Sequence, residues 1–549
     1  MKKIILIAGS LIGLTTAVFS QTPTYAWAKS SVAQANSSMV DNIGDVAVDT
    51  INQWVYATGS FGNPIDFGTG VLNSIDPKTV YLVKYNLNGG IIWAKSFLSN
   101  HNNSTSGIAV DNTGNVFITG YSQSDSVIFG SQFLINSHPS STDYTTGYVV
   151  KFDSNGNVLW LKGSVGGGGV IPNDIAIDAS GNAYIAGLVV HENGTMAGNN
   201  LITPGLFVMK FDGSGNSLWF NQTNISPAIN TEGNALAVDK LGNCIVVGTF
   251  IADANFGSST IIYTGSSGTY DRFVAKLNGT TGAFTWAIAG SSWSGPDYNN
   301  DVSLDLQNNI YVTGWQTGNG VREQIIEKYN SSGVSQWTNY YPMTAYNPLS
   351  SITTDKQGNS YIGFNMNDTT TYGSYVINTT APYPIATSLI AIIKIDNTGT
   401  VLYAKAMQDP SSNALAQVTN LALDANNNLY ICGVVSQTCG FDATTIGAGN
   451  NTEFLLAKLG SNLSSGINDF NATKNDVLIY PNPSRNQLFI NSNQIESITL
   501  IDINGKIVLQ KQLNSSESID ITAISAGLYV AKLNLKNGHN TLQKFIKEN

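Results

Sequence analysis

Apolar and polar positions alternate with a period of two through short runs that end in Gly- and Asn-rich turns. One two-part phrase built this way returns seven times between Gly44 and Leu459. Its first half reads GIAVDNTGNVFITG at 107–120, DIAIDASGNAYIAG at 174–187 and DVSLDLQNNIYVTG at 301–314. Its second half reads VVKFDSNGNVLWLK at 149–162 and VMKFDGSGNSLWF at 208–220. Alternation predicts strands, and Asp111, Gly114 and Asn115 supply the turn dihedrals between the first two. Each unit therefore reads as two hairpins, four antiparallel strands denoted a to d. A repeat of about 50–70 residues with four strands points to a propeller or a solenoid.

Size grading chooses between them. The middle of strand a carries Ala47, Ala109, Ala176, Ala237, Ser303, Thr353 and Ala422, all small. Strand d carries Trp93, Trp160, Trp219, Trp286, Trp337 and Tyr403, all large. Radially packed blades need small residues near the axis and large ones outside. Aspartates recur in the a–b turns at Asp49, Asp111, Asp178, Asp239, Asp305, Asp355 and Asp424. Lysines mark strand c at Lys84, Lys151, Lys210, Lys276, Lys328, Lys394 and Lys458. The seventh unit stops after strand c, while YAWAKS at Tyr25–Ser30 matches IIWAKS at 91–96. Trp27 is expected to supply the missing strand d, closing a seven-bladed ring and removing its open edge. The predicted fold class is all-β: a seven-bladed β-propeller with an N-terminal latch strand, then a small C-terminal β-sandwich.

The strand a–b phrase resembles the SBBP and NHL propeller repeats, and the c–d phrase is similar to the tryptophan motif of quinoprotein propellers. That resemblance implies the fold and little about activity, since propellers host many functions.

Residues 460–475 read as a polar linker, and 476–549 abandon the repeat for about seven short strands, enough for a small sandwich. The motifs Tyr480, Pro481, Asn482 and Pro483, then Asp502, Asn504, Gly505 and Lys506, then Gly527, Leu528 and Tyr529, stand in order before a basic end around Lys544 and Lys547. They resemble the type A C-terminal sorting domain of the type IX secretion system. The resemblance implies recognition by that machinery at the outer membrane, a Bacteroidota-type host, and delivery to the cell surface or the medium. Residues 1–20 carry two lysines and an apolar run before small residues, the pattern of a secretory signal, so 21–459 is the expected propeller.

Charged residues are 11% of the chain. Removing Lys2 and Lys3 with the signal takes the formal charge from −10 to −12. With arginine only at Arg272, Arg322 and Arg485, nucleic acid is not an expected partner. No later apolar run is long enough for a transmembrane segment. Cys244, Cys432 and Cys439 have no metal spacing; Cys432 and Cys439 read as buried thiols or as a pair.

In a propeller the b–c and d–a connections share one face, and here that face holds the long connections 121–146, 188–205 and 365–388. Trp293, Tyr298, Trp315, Tyr340, Tyr341, Tyr346 and Tyr372 cluster there in units four to six. They suit an uncharged glycan or protein ligand, or else they anchor loops. Asp45, Asp174, Asp301 and Asn420 begin strand a, as solvated strand ends or as a cation site that Gly107, Ala235 and Ser351 interrupt. The turn aspartates lack the bidentate Glu of a calcium loop and read as Asx turns. His191 beside Glu192 has no matched nucleophile, and no cofactor or metal is expected. The leading expectation is a non-catalytic binding or scaffold propeller. Its rivals are a glycan-active enzyme using Asp297, Glu232, Glu323 or Asp409, and a structural surface or gliding component.

Overall fold

The computed structural model describes residues 23–33, 42–74, 78–97, 103–124, 126–135, 145–166, 169–191, 194–223, 231–265, 269–290, 295–318, 321–343, 350–378, 388–408, 415–447, 452–460, 479–480, 483–490, 495–502, 506–513, 518–536 and 540–548. The proposed signal, Trp293, Tyr346, Asp409, Glu192, Pro481, Asn482, Asn504 and Gly505 lie outside them. The chain divides into two compact units, Met1–Asn462 and Leu463–Asn549.

In the first unit the alternating runs form strands wherever the sequence predicts them. The first sheet orders Asn42–Asp49, Trp54–Phe61, Thr79–Asn86 and Ile91–Phe97, each antiparallel to the next. Five more sheets repeat that order within 103–166, 170–222, 231–289, 298–342 and 350–406. The seventh takes Leu415–Leu423, Leu429–Ser436 and Glu453–Leu459, and its fourth strand is Tyr25–Ser30. That strand runs antiparallel to Glu453–Leu459, with Ala28 opposite Ala457. Apolar clusters fill the space between successive sheets. One of them packs Val46, Tyr81, Tyr430 and Phe454 together, joining the seventh sheet to the first.

Strand d meets the c–d turn of the following sheet through one recurring contact. The rings of Trp93, Trp160, Trp219, Trp286 and Trp337 lie against Gly156, Gly215, Gly282, Gly333 and Gly399, and that of Trp27 against Gly89. A Cβ at Gly89 would stand 2.8 Å from the Trp27 ring, and its φ of 77° also excludes ordinary side chains. The Trp160 and Trp219 indole N–H groups donate to Gly213 and Gly279 oxygens at 3.1 Å, and Trp27 donates to Leu87 O at 3.2 Å. Strand-c lysines reach the same turns: Lys151 donates to Gly213 O, Lys210 to Gly279 O and Lys458 to Leu87 O.

The sixth sheet departs from this pattern, with Tyr403 for Trp and with Lys394 bonded to Tyr361 Oη. Its neighbour has no c–d turn to receive a tryptophan, because the seventh sheet takes strand d from the other end of the chain. Where the receiving turn is missing, so is its partner.

Each a–b turn aspartate caps its own loop. Asp239 Oδ1 accepts from the backbone N–H groups of Leu241 and Asn243, Oδ2 accepts from the Asn243 amide, and Lys276 stands 3.0 Å away. The Asx-turn reading holds: the carboxylate is filled by the loop's own donors. Cys244, Cys432 and Cys439 are buried thiols that form no disulfide among the described residues.

The b–c connections correct the sequence reading. Expected as irregular loops, they fold into small hairpins: Ser126–Phe129 with Gln132–Ile135, Ala254–Phe256 with Ser259–Ile261, Thr370–Tyr372 with Tyr375–Ile377, and Cys439–Phe441 with Thr444–Ile446. An aromatic–Gly–Ser phrase at Phe129, Phe256 and Tyr372 turns three of them, and the aromatic points inward. Phe129 packs against Phe97, Tyr148 and Phe152.

Among its described residues the second unit has seven strands in two sheets. One orders Ile479–Tyr480, Gln487–Ile490 and Ile519–Asp520; the other orders Ile507–Gln512, Ile495–Asp502, Gly527–Leu535 and Asn540–Lys547. Leu488, Ile498, Leu500, Ala531 and Phe545 form its core.

Candidate functional site

Near its loop end, strand a slips register against strand b in most sheets of the first unit. The extra residue of the bulge is Ser106, Asn173, Asn234, Asn300 or Thr419 in sheets two, three, four, five and seven. A bulge breaks the alternation of side chains, so two successive residues can serve the same neighbour. The first donates to a backbone carbonyl of the next sheet. Asn173 Nδ2 reaches Gly233 O at 2.9 Å, Asn234 Nδ2 reaches Asn299 O at 2.7 Å, and Thr419 Oγ1 reaches Gly44 O at 2.6 Å.

The second residue accepts. Asp45 takes its own Val46 N–H and the Ile108 N–H of the next sheet at 2.6 and 2.8 Å. Asp174 takes Ile175 and Leu236, both at 2.7 Å, and Asp301 takes Val302 and Ile352 at 2.7 and 2.8 Å. These aspartates are therefore brackets between sheets, a correction to the reading of solvated strand ends. Aspartate stands in sheets one, three and five, and Gly107, Ala235 and Ser351 stand between them. The alternation ends at the seventh sheet. It does so with the neutral Asn420, which keeps a fourth carboxylate from the side of Asp45.

Burial pushes Asp45 up to about 7, against the two N–H bonds that lower it, and the charge of Asp301 adds to the rise. Burial likewise carries Asp301 up to about 6 and Asp174 well above the usual carboxylate range. Asp174 and Asp301 both line a cavity.

That cavity has a volume of about 420 Å³ and lies at the loop end of the axis. Its wall is made by the five bulge residues together with Asp174, Asp301 and Asn420. Ser350, Ala235, Tyr298 and Trp315 complete it. Among the described residues no lysine, arginine or histidine lines it.

The aromatics predicted for binding divide sharply. Tyr298 stacks on Trp315 with centroids 4.7 Å apart, and the Arg322 guanidinium covers Trp315 at 5.3 Å. Trp315 is 9% exposed, not the open ring that the sequence suggested. Tyr372 and Tyr341 are 1% and 8% exposed and pack on each other inside the core. Tyr372 is the inward aromatic of its b–c hairpin, equivalent to Phe129 and Phe256, so it is withdrawn from the candidate surface. Tyr340 is exposed on the outside of strand d.

The candidate carboxylates lie apart in their environments. Glu232 accepts from Asn173 Nδ2 at 2.9 Å, and burial raises its pKa. Asp297 is fully buried and accepts from the Thr317 N–H, and Glu323 accepts from Gln316. Among the described residues no group of three or more His, Cys, Asp or Glu is placed to hold a metal ion. Sequence reasoning missed the bulge amides Asn173, Asn234 and Asn300. The signal was present as an Asn before the strand-a position in three units.

In the second unit, Tyr529 donates to Ser525 O at 2.8 Å and stacks on Phe545. Asp502 closes a turn by accepting from the Lys506 N–H. Tyr480 stacks on Phe489 and stays half exposed, and Leu528 is also exposed. Residues 478–548 match the family described as secretion system C-terminal sorting domain. The second unit is a type IX sorting domain.

The sorting domain marks the chain for export to the cell surface or the medium and implies contact with the type IX machinery. Residues 98–126, which hold strands a and b of the second sheet, match the β-propeller repeat family. An uncharacterised WD-repeat-containing protein of Acanthamoeba polyphaga mimivirus is 28% identical over 235 residues, 36% of this chain and 16% of that protein's length. Among solved structures, a Bacteroides caccae protein of unknown function is 11% identical, with a TM-score of 0.30, over 58% of this chain and 92% of its own. Sqt1 from Chaetomium thermophilum is 8% identical, with a TM-score of 0.34, over 78% of this chain and 99% of its own. No helix of the described residues is long and apolar enough to cross a membrane.

Proposed function

We propose that the seven sheets are the blades of one closed propeller spanning 21–459, latched by Tyr25–Ser30. On this reading, 1–20 is a secretory signal, 460–475 a linker, and the exported propeller a non-catalytic binding protein. The observation that carries the binding role is the contrast between the two ends of the blades. At the turn end every blade repeats the same capped loops, and at the loop end the connections differ from blade to blade around a small-molecule-sized cavity. The polar groups at the cavity wall hold the blades together, which suits recognition better than turnover. Asp174 and Asp301 each accept two backbone N–H bonds, so neither is poised as a nucleophile.

The test is a binding screen of the full chain against immobilised glycans and extracellular proteins, run beside a hydrolysis assay on the same glycans. Saturable binding without product release supports the proposal. Release of reducing sugar would move the assignment to a glycan-active enzyme, with Glu232, Glu323, Asp297 and Asp409 as the carboxylates to test. Self-association with no ligand would favour a structural surface component.

A further inference from the structure

Resting on that binding role, we infer that the axial cavity takes an uncharged polyhydroxylated ligand, one or two units of a neutral sugar. Its volume of about 420 Å³ falls in the roughly 300–1,000 Å³ range of small-molecule sites. The wall is built from amides and hydroxyls, among them Asn173, Asn234, Asn300, Ser106 and Thr419. A sugar hydroxyl both donates and accepts: Asn173 and Thr419 already donate to the next sheet and offer acceptor oxygens, while Asn234 has one N–H on Asn299 O and a second to give.

Other ligand classes fit less well. An anion would meet Asp174 and Asp301, with no lysine, arginine or histidine among the described residues of the wall to offset them. A cation would meet carboxylates whose oxygens already accept backbone N–H groups at 2.7 and 2.8 Å. A flat aromatic ligand would need an open ring face, and Trp315 has Tyr298 on one face and Arg322 over the ring. A saccharide needs no stacking slot, and the C–H edges of the ring can rest beside Tyr298 on the rim.

The test is calorimetric titration of the full chain with glucose, galactose, mannose, N-acetylglucosamine, maltose and cellobiose, with galacturonic acid and calcium chloride as separate arms. A neutral sugar is expected to bind, with affinity changing less than threefold between 20 and 500 mM salt, an order-of-magnitude bound for uncharged recognition. Ser106→Trp places a large ring in the cavity and is expected to weaken binding about tenfold or more, as filling a ligand's own space does. Ser106→Leu provides the milder block, read beside a thermal melt that checks folding. Leu241→Ala, on an exposed side chain of an a–b turn at the opposite end of the sheet, is expected to leave affinity unchanged.

Sugar binding that survives both Ser106 variants but falls with Leu241→Ala would overturn the cavity assignment while keeping the binding role. Tighter binding of galacturonic acid, or of calcium alone, would overturn the ligand class. Binding to protein ligands in the screen with none to any sugar would overturn the inference alone. Failure against every glycan and protein would overturn the binding role itself.

Discussion

The two ends of each blade use the same residue type in opposite ways. At the turn end, burial alone would raise Asp239, but the Asn243 amide, Lys276 and the Asn243 N–H outweigh it and hold the carboxyl low. Asp111 and Asp178 are held low in the same sense. At the loop end, Asp45 also accepts two N–H bonds, yet burial wins and the charge of Asp301 adds to it. What separates the ends is a lysine within ion-pair reach, present at Asp111, Asp178 and Asp239 and, among the described residues, missing beside Asp45, Asp174 and Asp301; Asp301 does take a side-chain donor, Ser351 Oγ at 2.7 Å. The turn end is where the fold gains stability, and the loop end spends some of it to line a polar cavity.

The largest effect expected from breaking this comparison comes from the turn-end seams. Trp219→Ala removes a buried ring from Gly282 and should destabilise the first unit by about 3–5 kcal/mol, read by denaturant midpoint. An equal loss from Trp27→Ala would place the latch strand on the same footing as an interior strand d. A negligible loss there would break the closed-ring reading.

Next in size is the turn carboxylate. Asp239→Ala strips the loop of its acceptor and leaves Lys276 without its partner, for a loss of about 1–3 kcal/mol at neutral pH. Because its folded pKa is lowered, the stabilisation exists above the unfolded value of 3.8 and is lost as pH falls through the folded value. The wild-type and variant midpoints should therefore converge below about pH 4.

The axial carboxylate has the opposite sign. With a folded pKa raised to about 7, Asp45 favours the folded state fully below 3.8, and that contribution is lost as pH rises through 7. Melting temperature is expected to fall from pH 5 to pH 8, and Asp45→Asn should flatten the fall while Asp239→Ala leaves its slope alone. The same slope in both variants would erase the distinction between the two ends. The smallest effect is at Tyr340, exposed on strand d, where replacement by Ala should shift stability by less than about 0.5 kcal/mol.

Much of this architecture is legible in the residues themselves. Period-two alternation places the strands, and the recurring Asp, Lys and Trp fall at the turn end with the roles their chemistry allows. Even the lone Tyr403 is readable afterwards as the mark of the missing turn. The loop end was harder. Tyr372 and Tyr341 look like surface aromatics in a one-dimensional pattern, because burial by a b–c hairpin depends on which strand d it folds over. The aromatic–Gly–Ser phrase was the available signal for Tyr372; nothing comparable marked Tyr341.

The sequence by itself determined the local elements, the repeat, the sorting domain and the pairing of the first strand with the last sheet, since each follows from spacing or from a motif. Only the tertiary structure decided that strand a bulges, that Asp45, Asp174 and Asp301 bracket successive sheets, and that amides from separate blades face one cavity. Those facts depend on residues about 50–70 positions apart meeting around an axis. Local propensity contains no term for a neighbour that arrives only when successive sheets pack.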